Sequence, residues 1–141
     1  MNLGWFFVVS GRPNNVQIEK TIKEYLRCFE VGSYEEIIKL FSPGAVVHSP
    51  LYGEIKAKKF YQDLFKDTLK SKISLMNIFV SQDNSKIAAG HFRYDWILKD
   101  GTQTSFECVD VFLFAKDGKI KELTIIYDIS KIRTSFEDME K

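Results

Sequence analysis

Residues 106–114 read FECVDVFLF, and one of them, Asp110, is a carboxylate set among apolar neighbours. Strand alternation gives Asp110 the same face as Cys108 and Phe112. A charged carboxylate is costly there unless it is paired. Burial therefore raises its pKa and favours the protonated acid, which can donate a hydrogen bond. This makes Asp110 a candidate polar group of a ligand pocket. The alternative is a structural carboxylate that pairs with Arg93 or accepts from Tyr25. Tyr25 is either a ligand donor or a core tyrosine with its hydroxyl at the edge. His48 and Ser49 precede Pro50. A lone histidine near a strand end suits a structural or dimer-contact role better than that of a base. Ser49 suits pocket lining or local backbone bonding better than nucleophilic attack. Further on, His91, Arg93 and Asp95 alternate with Phe92, Tyr94 and Trp96, giving one polar and one aromatic face. Arg93 would meet an anionic ligand only if that polar face lay at a pocket mouth or a dimer contact.

The elements that must position these residues are legible from period and punctuation. Asn14 or Asn15 can cap a helix whose apolar face is Ile18, Ile22, Tyr25, Leu26 and Phe29, with Gly32 as its stop. Ser33 and Glu36 have capping-box spacing for a short second helix, with Ile37, Leu40 and Phe41 on its apolar side. Pro43 and Gly44 end it. A short strand, 45–49, breaks at Pro50, and after a turn at Gly53 a third helix covers about 56–69. From there the period is two. Strands are expected near 73–81, 86–98, 103–115 and 119–128, with Asp-Gly turns at 100–101 and 117–118. A last amphipathic piece covers 130–139. Helices segregated from an antiparallel meander mean an α+β fold. The strands at 105–114 and 120–127 are apolar on both faces, so something beyond the helices must cover the second face. A second copy of the chain is the simplest cover, and a homodimer is expected.

The 141 residues suit a single domain over 16–141, preceded by a poorly defined N-terminal arm at 1–15. Residues 3–9, LGWFFVV, are too few to span a bilayer, and no basic residue precedes them. They read as an arm or extra edge segment, with an unusual secretion signal as the minority alternative. A net charge of +1 gives no field to draw in nucleic acid or an anionic membrane. The two cysteines read as buried free thiols of a cytoplasmic protein. Two scattered histidines suggest no zinc site, and no cofactor is implied.

Three stretches carry a family resemblance: IKEYLRCFEVGSYEEIIKLFSPGAVVHSP, GEIKAKKFYQDLF and ECVDVFLFAKDGKIKELTIIYD. With the element order, they resemble the SnoaL-like and ketosteroid isomerase-like proteins of the nuclear transport factor 2-like fold. The resemblance implies a curved antiparallel sheet wrapped around helices, forming a cone with a ligand pocket and often a dimer through the outer sheet face. In the isomerase members a tyrosine of the first helix and a protonated aspartic acid of the penultimate strand donate to a developing oxyanion. Tyr25 and Asp110 fall at the matching places. Tyr61 matches a supporting pocket tyrosine, Tyr127 an aromatic wall, and Phe60 and Phe112 complete the walls. The carboxylate these enzymes carry before the proline is here Ser49, which cannot shuttle a proton at neutral pH without an activating base. His48 would serve only if the backbone twisted at Pro50. Asp128 is a second pocket group or a cap for the segment at Ser130. The implied function is a pocket for a small hydrophobic ligand bearing a carbonyl or hydroxyl and, if the protein is an enzyme, isomerase- or lyase-type chemistry with Tyr25 and Asp110 as oxyanion donors. The alternative is a non-catalytic dimeric binding or assembly module on the same fold.

Overall fold

Asn14 opens the first helix of the computed structural model, which describes residues 14–130 and 132–141. The arm expected at 1–15 lies outside the described residues up to residue 13. The Asn14 side chain accepts from the Gln17 N–H at 2.9 Å, and the Gln17 side chain accepts from the Asn14 N–H at 3.1 Å. This reciprocal cap starts α1, Asn15–Val31. Its buried face is Ile18, Ile22, Tyr25, Leu26, Cys28 and Phe29, and Gly32 ends it at φ 73°. The capping box expected at Ser33 does not form over α2, Tyr34–Ile38. The Ser33 N–H closes back onto Cys28 O as part of the turn that ends α1. Its hydroxyl and the Arg27 guanidinium instead hold the Glu36 carboxylate below its usual pKa.

β1 is Phe41–Ser49, so Phe41 belongs to a strand rather than to the second helix. Pro43 and Gly44, read as a stop, sit inside that strand where its register shifts between Phe41 and Val46. β2, Gly53–Lys56, pairs with β1 only at residues 46–49, so Pro43 has no ladder bond there to withhold. β2 itself was not foreseen, since four residues after a turn carry no usable period. α3, Ala57–Lys66, buries Ala57, Phe60, Tyr61 and Leu64. It stops before the expected residue 69, and Thr68, whose hydroxyl donates to Leu64 O at 2.6 Å, opens β3, Thr68–Val80. β4, Ile87–Leu98, β5, Gln103–Phe114, and β6, Ile120–Ile126, follow as expected, and α4, Arg133–Glu140, closes the chain.

The six strands form one curved, unclosed sheet in the order β2-β1-β6-β5-β4-β3. β3 to β6 are an antiparallel meander, and β1 joins β6 in parallel. The expected α+β cone is the fold, with α1 and α3 packed into the concave side. Gly90 permits a close approach there. A Cβ on it would lie 3.2 Å from Ile22 Cγ2 of α1 and 3.7 Å from Phe112. On the convex side Val109, Val111 and Leu113 are half-buried, and Ile126, paired with Val109, is 53% exposed. Among the described residues no helix is long and apolar enough to cross a membrane.

Candidate functional site

Asp110 sits mid-way along β5 on the concave side, opposite Gly90 of β4 and Ile125 of β6, with no solvent exposure. The Cys108 thiol, on the same face, donates to its Oδ1 at 3.2 Å, and Oδ2 has no hydrogen-bond partner. Burial pushes the carboxyl pKa up to about 7, against the opposing pull of the Cys108 thiol and the nearby Tyr25 hydroxyl. Near neutrality a large fraction of the molecules therefore hold a protonated Asp110, able to donate. The Cys108 thiol is driven up by burial and by Asp110, which leaves it a neutral donor and a poor nucleophile.

Behind the carboxyl lie two phenols. Tyr25 of α1 and Tyr61 of α3 share a hydrogen bond of 2.6 Å, and both are fully buried. Burial raises both well above the ordinary tyrosine pKa, so they are neutral donors. Edge contacts of the Tyr25 ring with Phe112 at 5.2 Å and Phe29 at 6.0 Å fix its orientation.

In front of Asp110 is a narrow cleft with room for about one water molecule. Of the residues expected to line a pocket, Ser49, Phe60, Asp110 and Tyr127 do so. Tyr25, Tyr61 and Phe112 back Asp110 from the core and do not line the cleft. The Ser49 hydroxyl also accepts from the N–H groups of Leu51 and Tyr52, which holds the turn after Pro50. His48 lies on the opposite face of β1, its Nε2 2.7 Å from Glu122 Oε1. Alternation persists to the end of the strand, and the Pro50 break does not turn His48 inward. Asp128 is exposed and accepts from the Ser130 N–H at 2.9 Å, the local capping geometry. Arg93 pairs with Asp95 at 3.3 Å on the convex side, away from Asp110.

Trp96, which the sequence reads as wall or core, lines the cleft, whereas Phe29, Tyr52 and Tyr94 line it without having been read as pocket residues. Tyr94 and Trp96 carried a signal, since they share the aromatic face of β4 with Phe92. Tyr52 carried none, because it stands in an aperiodic turn. Its hydroxyl donates to Asp67 Oδ2 at 2.6 Å, and Lys99 Nζ donates to Oδ1 at 3.1 Å. Phe136 of α4 packs edge-on against Tyr52 at 5.2 Å and tilted against Trp96 at 6.3 Å. The last helix thus leans on two residues of the cleft wall.

The model of the SnoaL-like domain matches residues 22–123, well over half of the chain. The chain belongs to the SnoaL-like family. Among solved structures, this SnoaL-like protein is similar to an NTF2-like protein of unknown function from Exiguobacterium sp. 255-15. Identity is 18% and the TM-score 0.66, over 77% of this chain and 98% of the other. It is similar to SalBIII, an epoxide hydrolase/cyclase-like enzyme of pyran ring formation in the polyether salinomycin. There identity is 19% and the TM-score 0.68, over 80% and 92% of the two chains. AclR, a candidate hydroxylase from Streptomyces galilaeus, gives 16% and 0.69 over 87% and 97%. At these identities the likeness is one of fold. No curated protein matches the chain.

Chemically, the arrangement offers a neutral acid and a phenol pair next to an aromatic-walled space, which suits holding a carbonyl or hydroxyl oxygen. Among the lining residues Asp110 is the one group whose pKa is placed near neutrality. Among the described residues, no second carboxylate and no imidazole line the cleft.

Proposed function

We propose that this SnoaL-like protein binds a small, mostly apolar molecule through a carbonyl or hydroxyl oxygen held by Asp110. The observation that carries this reading is the free Oδ2 of a fully buried carboxyl that lines an aromatic cleft. Tyr25 supports Asp110 from behind, and Ser49, Phe60 and Tyr127 shape the space around the ligand. With a ligand whose reacting carbon is acidic, the same donors would stabilise an enolate, the chemistry of an isomerase or lyase. The test is thermal stabilisation by a panel of phenols and cyclic enones. Stabilisation that is lost in Asp110→Asn and reduced in Tyr25→Phe is expected. Indifference to both substitutions would place the site elsewhere.

A second reading is favoured by a specific observation. Ser49 occupies the place of the catalytic carboxylate, its hydroxyl is engaged by backbone N–H groups, and His48 faces away. On this reading the protein binds without turnover and works as a dimer through the convex sheet face around Val109, Val111 and Ile126. Proton exchange at a ligand α-carbon, followed by NMR and abolished by Asp110→Asn, would exclude it. Sedimentation velocity of the wild type beside Val111→Lys tests the dimer, with a shift to monomer expected in the variant.

A further inference from the structure

Early in β1 the strand leaves its ladder. Phe41 pairs with Ile120 of β6 and Val46 with Glu122, so residues 42–45 bulge out opposite Lys121 alone. Gly44 turns within the bulge at φ 77°, a conformation that suits glycine. Beside it is a surface hollow of about 300 Å³, which is ligand-sized. It shares no residue with the cleft at Asp110.

Three separate stretches of chain bring four lysines to this hollow. Lys39 comes from the end of α2, Lys56 and Lys58 from the start of α3, and Lys119 from the turn between β5 and β6. The backbone fixes their places. The Ile120 N–H donates to Leu40 O at 2.8 Å, so Lys39 and Lys119 flank one hydrogen bond on the same side of the hollow. Lys56 is opposite Val46 in the β1–β2 pair, at the far end of the bulge, and its Nζ lies 3.4 Å from Gly44 O. Lys58 follows it in the first turn of α3. The apolar lining includes Ile38, Phe41 and Ala45.

No carboxylate lines the hollow, and among the described residues none of these four lysines forms an ion pair. The next lysine along α3, Lys59, does pair, with Asp63 at 3.0 Å. Like charges gathered without a counter-charge repel one another. The chain as a whole is nearly neutral, at +1, so the excess is local to this hollow. An anion seated among the lysines removes the repulsion. Ammonium groups act as point charges and suit a phosphoryl group, whereas planar, two-pronged pairing with a carboxylate is the province of arginine. No arginine lines the hollow.

We infer that this hollow binds a small organic phosphate, with the phosphoryl group among Lys39, Lys56, Lys58 and Lys119 and the apolar part against Phe41 and Ala45. The site is separate from the cleft at Asp110 and does not depend on the reading of that cleft.

The test titrates phenyl phosphate into the protein and follows backbone amide shifts by NMR. Saturable shifts confined to residues 38–45, 56–58 and 119–120 are expected, with affinity falling as salt is added. Phenyl phosphate should bind more tightly than inorganic phosphate, because its ring covers the apolar lining. The double substitution Lys39→Gln and Lys119→Gln removes two exposed charges and should weaken binding about tenfold. The control, Lys66→Gln with Lys70→Gln, removes the same charge outside the hollow and should leave affinity within about twofold. Equal losses in the two double variants would mean attraction by net charge alone and would overturn the inference. So would equal affinity for inorganic phosphate, shifts that fall elsewhere, or no saturation in the millimolar range. Without ligand, the Lys39 and Lys119 substitutions should keep or raise the melting temperature, because they relieve repulsion. A fall of several degrees would show that the fold itself holds these charges, and the inference would fail.

Discussion

Replacing Asp110 by Asn preserves shape and keeps an acceptor for the Cys108 thiol, but removes a titration. The folded carboxyl has a pKa of about 7, against 3.8 in an unconstrained chain. Between these values the folded state holds a proton that the unfolded state has released, so stability falls as pH rises. The loss begins near pH 4, is complete just above pH 7, and is flat on either side. A gap of about 3 pKa units, at about 1.4 kcal/mol each, amounts to about 4 kcal/mol, more than half of it between pH 5 and 8. For a domain whose whole stability is of the order of 5–15 kcal/mol, this is a large share. Asn escapes it. Urea denaturation of both proteins across pH 5 to 8 should show the variant gaining on the wild type as pH rises, because every other titrating group cancels in the difference. A difference that stays constant with pH would refute the claim that burial, rather than pairing, governs Asp110.

Three further outcomes follow from the same geometry. A ligand that accepts from the protonated Asp110 should bind equally well below pH 6 and lose about tenfold in affinity per pH unit above 7, as read by calorimetry. Tyr25→Phe strands the Tyr61 hydroxyl in the core and should cost about 1–3 kcal/mol in denaturant titration; no loss would mean that Tyr61 finds another partner. Gly90→Ala pushes a methyl to 3.2 Å from Ile22 Cγ2 beside the site, and should cost about 1 kcal/mol once the relief of chain entropy is subtracted; a gain in stability would show that α1 can retreat freely.

What the sequence revealed depended on period. The alternation FECVDVFLF placed Asp110 inward, and the helical spacing of Ile18, Ile22, Tyr25 and Phe29 placed Tyr25 on the buried face, as the structure has them. Local punctuation was less reliable. Pro43 and Gly44 look the same in a helix stop and in a bulged strand, and what separates the two is the pairing of Phe41 with Ile120, a partner 79 positions away in sequence. Likewise Ser33 and Glu36 have the spacing of a capping box, but Arg27 of the preceding helix competes for Glu36. Tyr94 was visible as an aromatic on an alternating strand. That its hydroxyl would lack a hydrogen-bond partner was not visible, since this depends on Thr68 being claimed by Trp96 and Leu64.

The contact of Phe136 with Tyr52 and Trp96 couples the last helix to the cleft wall. If loosening of the terminal helix has to precede capture of a ligand larger than the cleft as it stands, that helix sets the pace of binding. Association monitored by stopped flow should then level off at high ligand concentration, at a rate belonging to the protein and not to the ligand. Phe136→Ala should lift that ceiling.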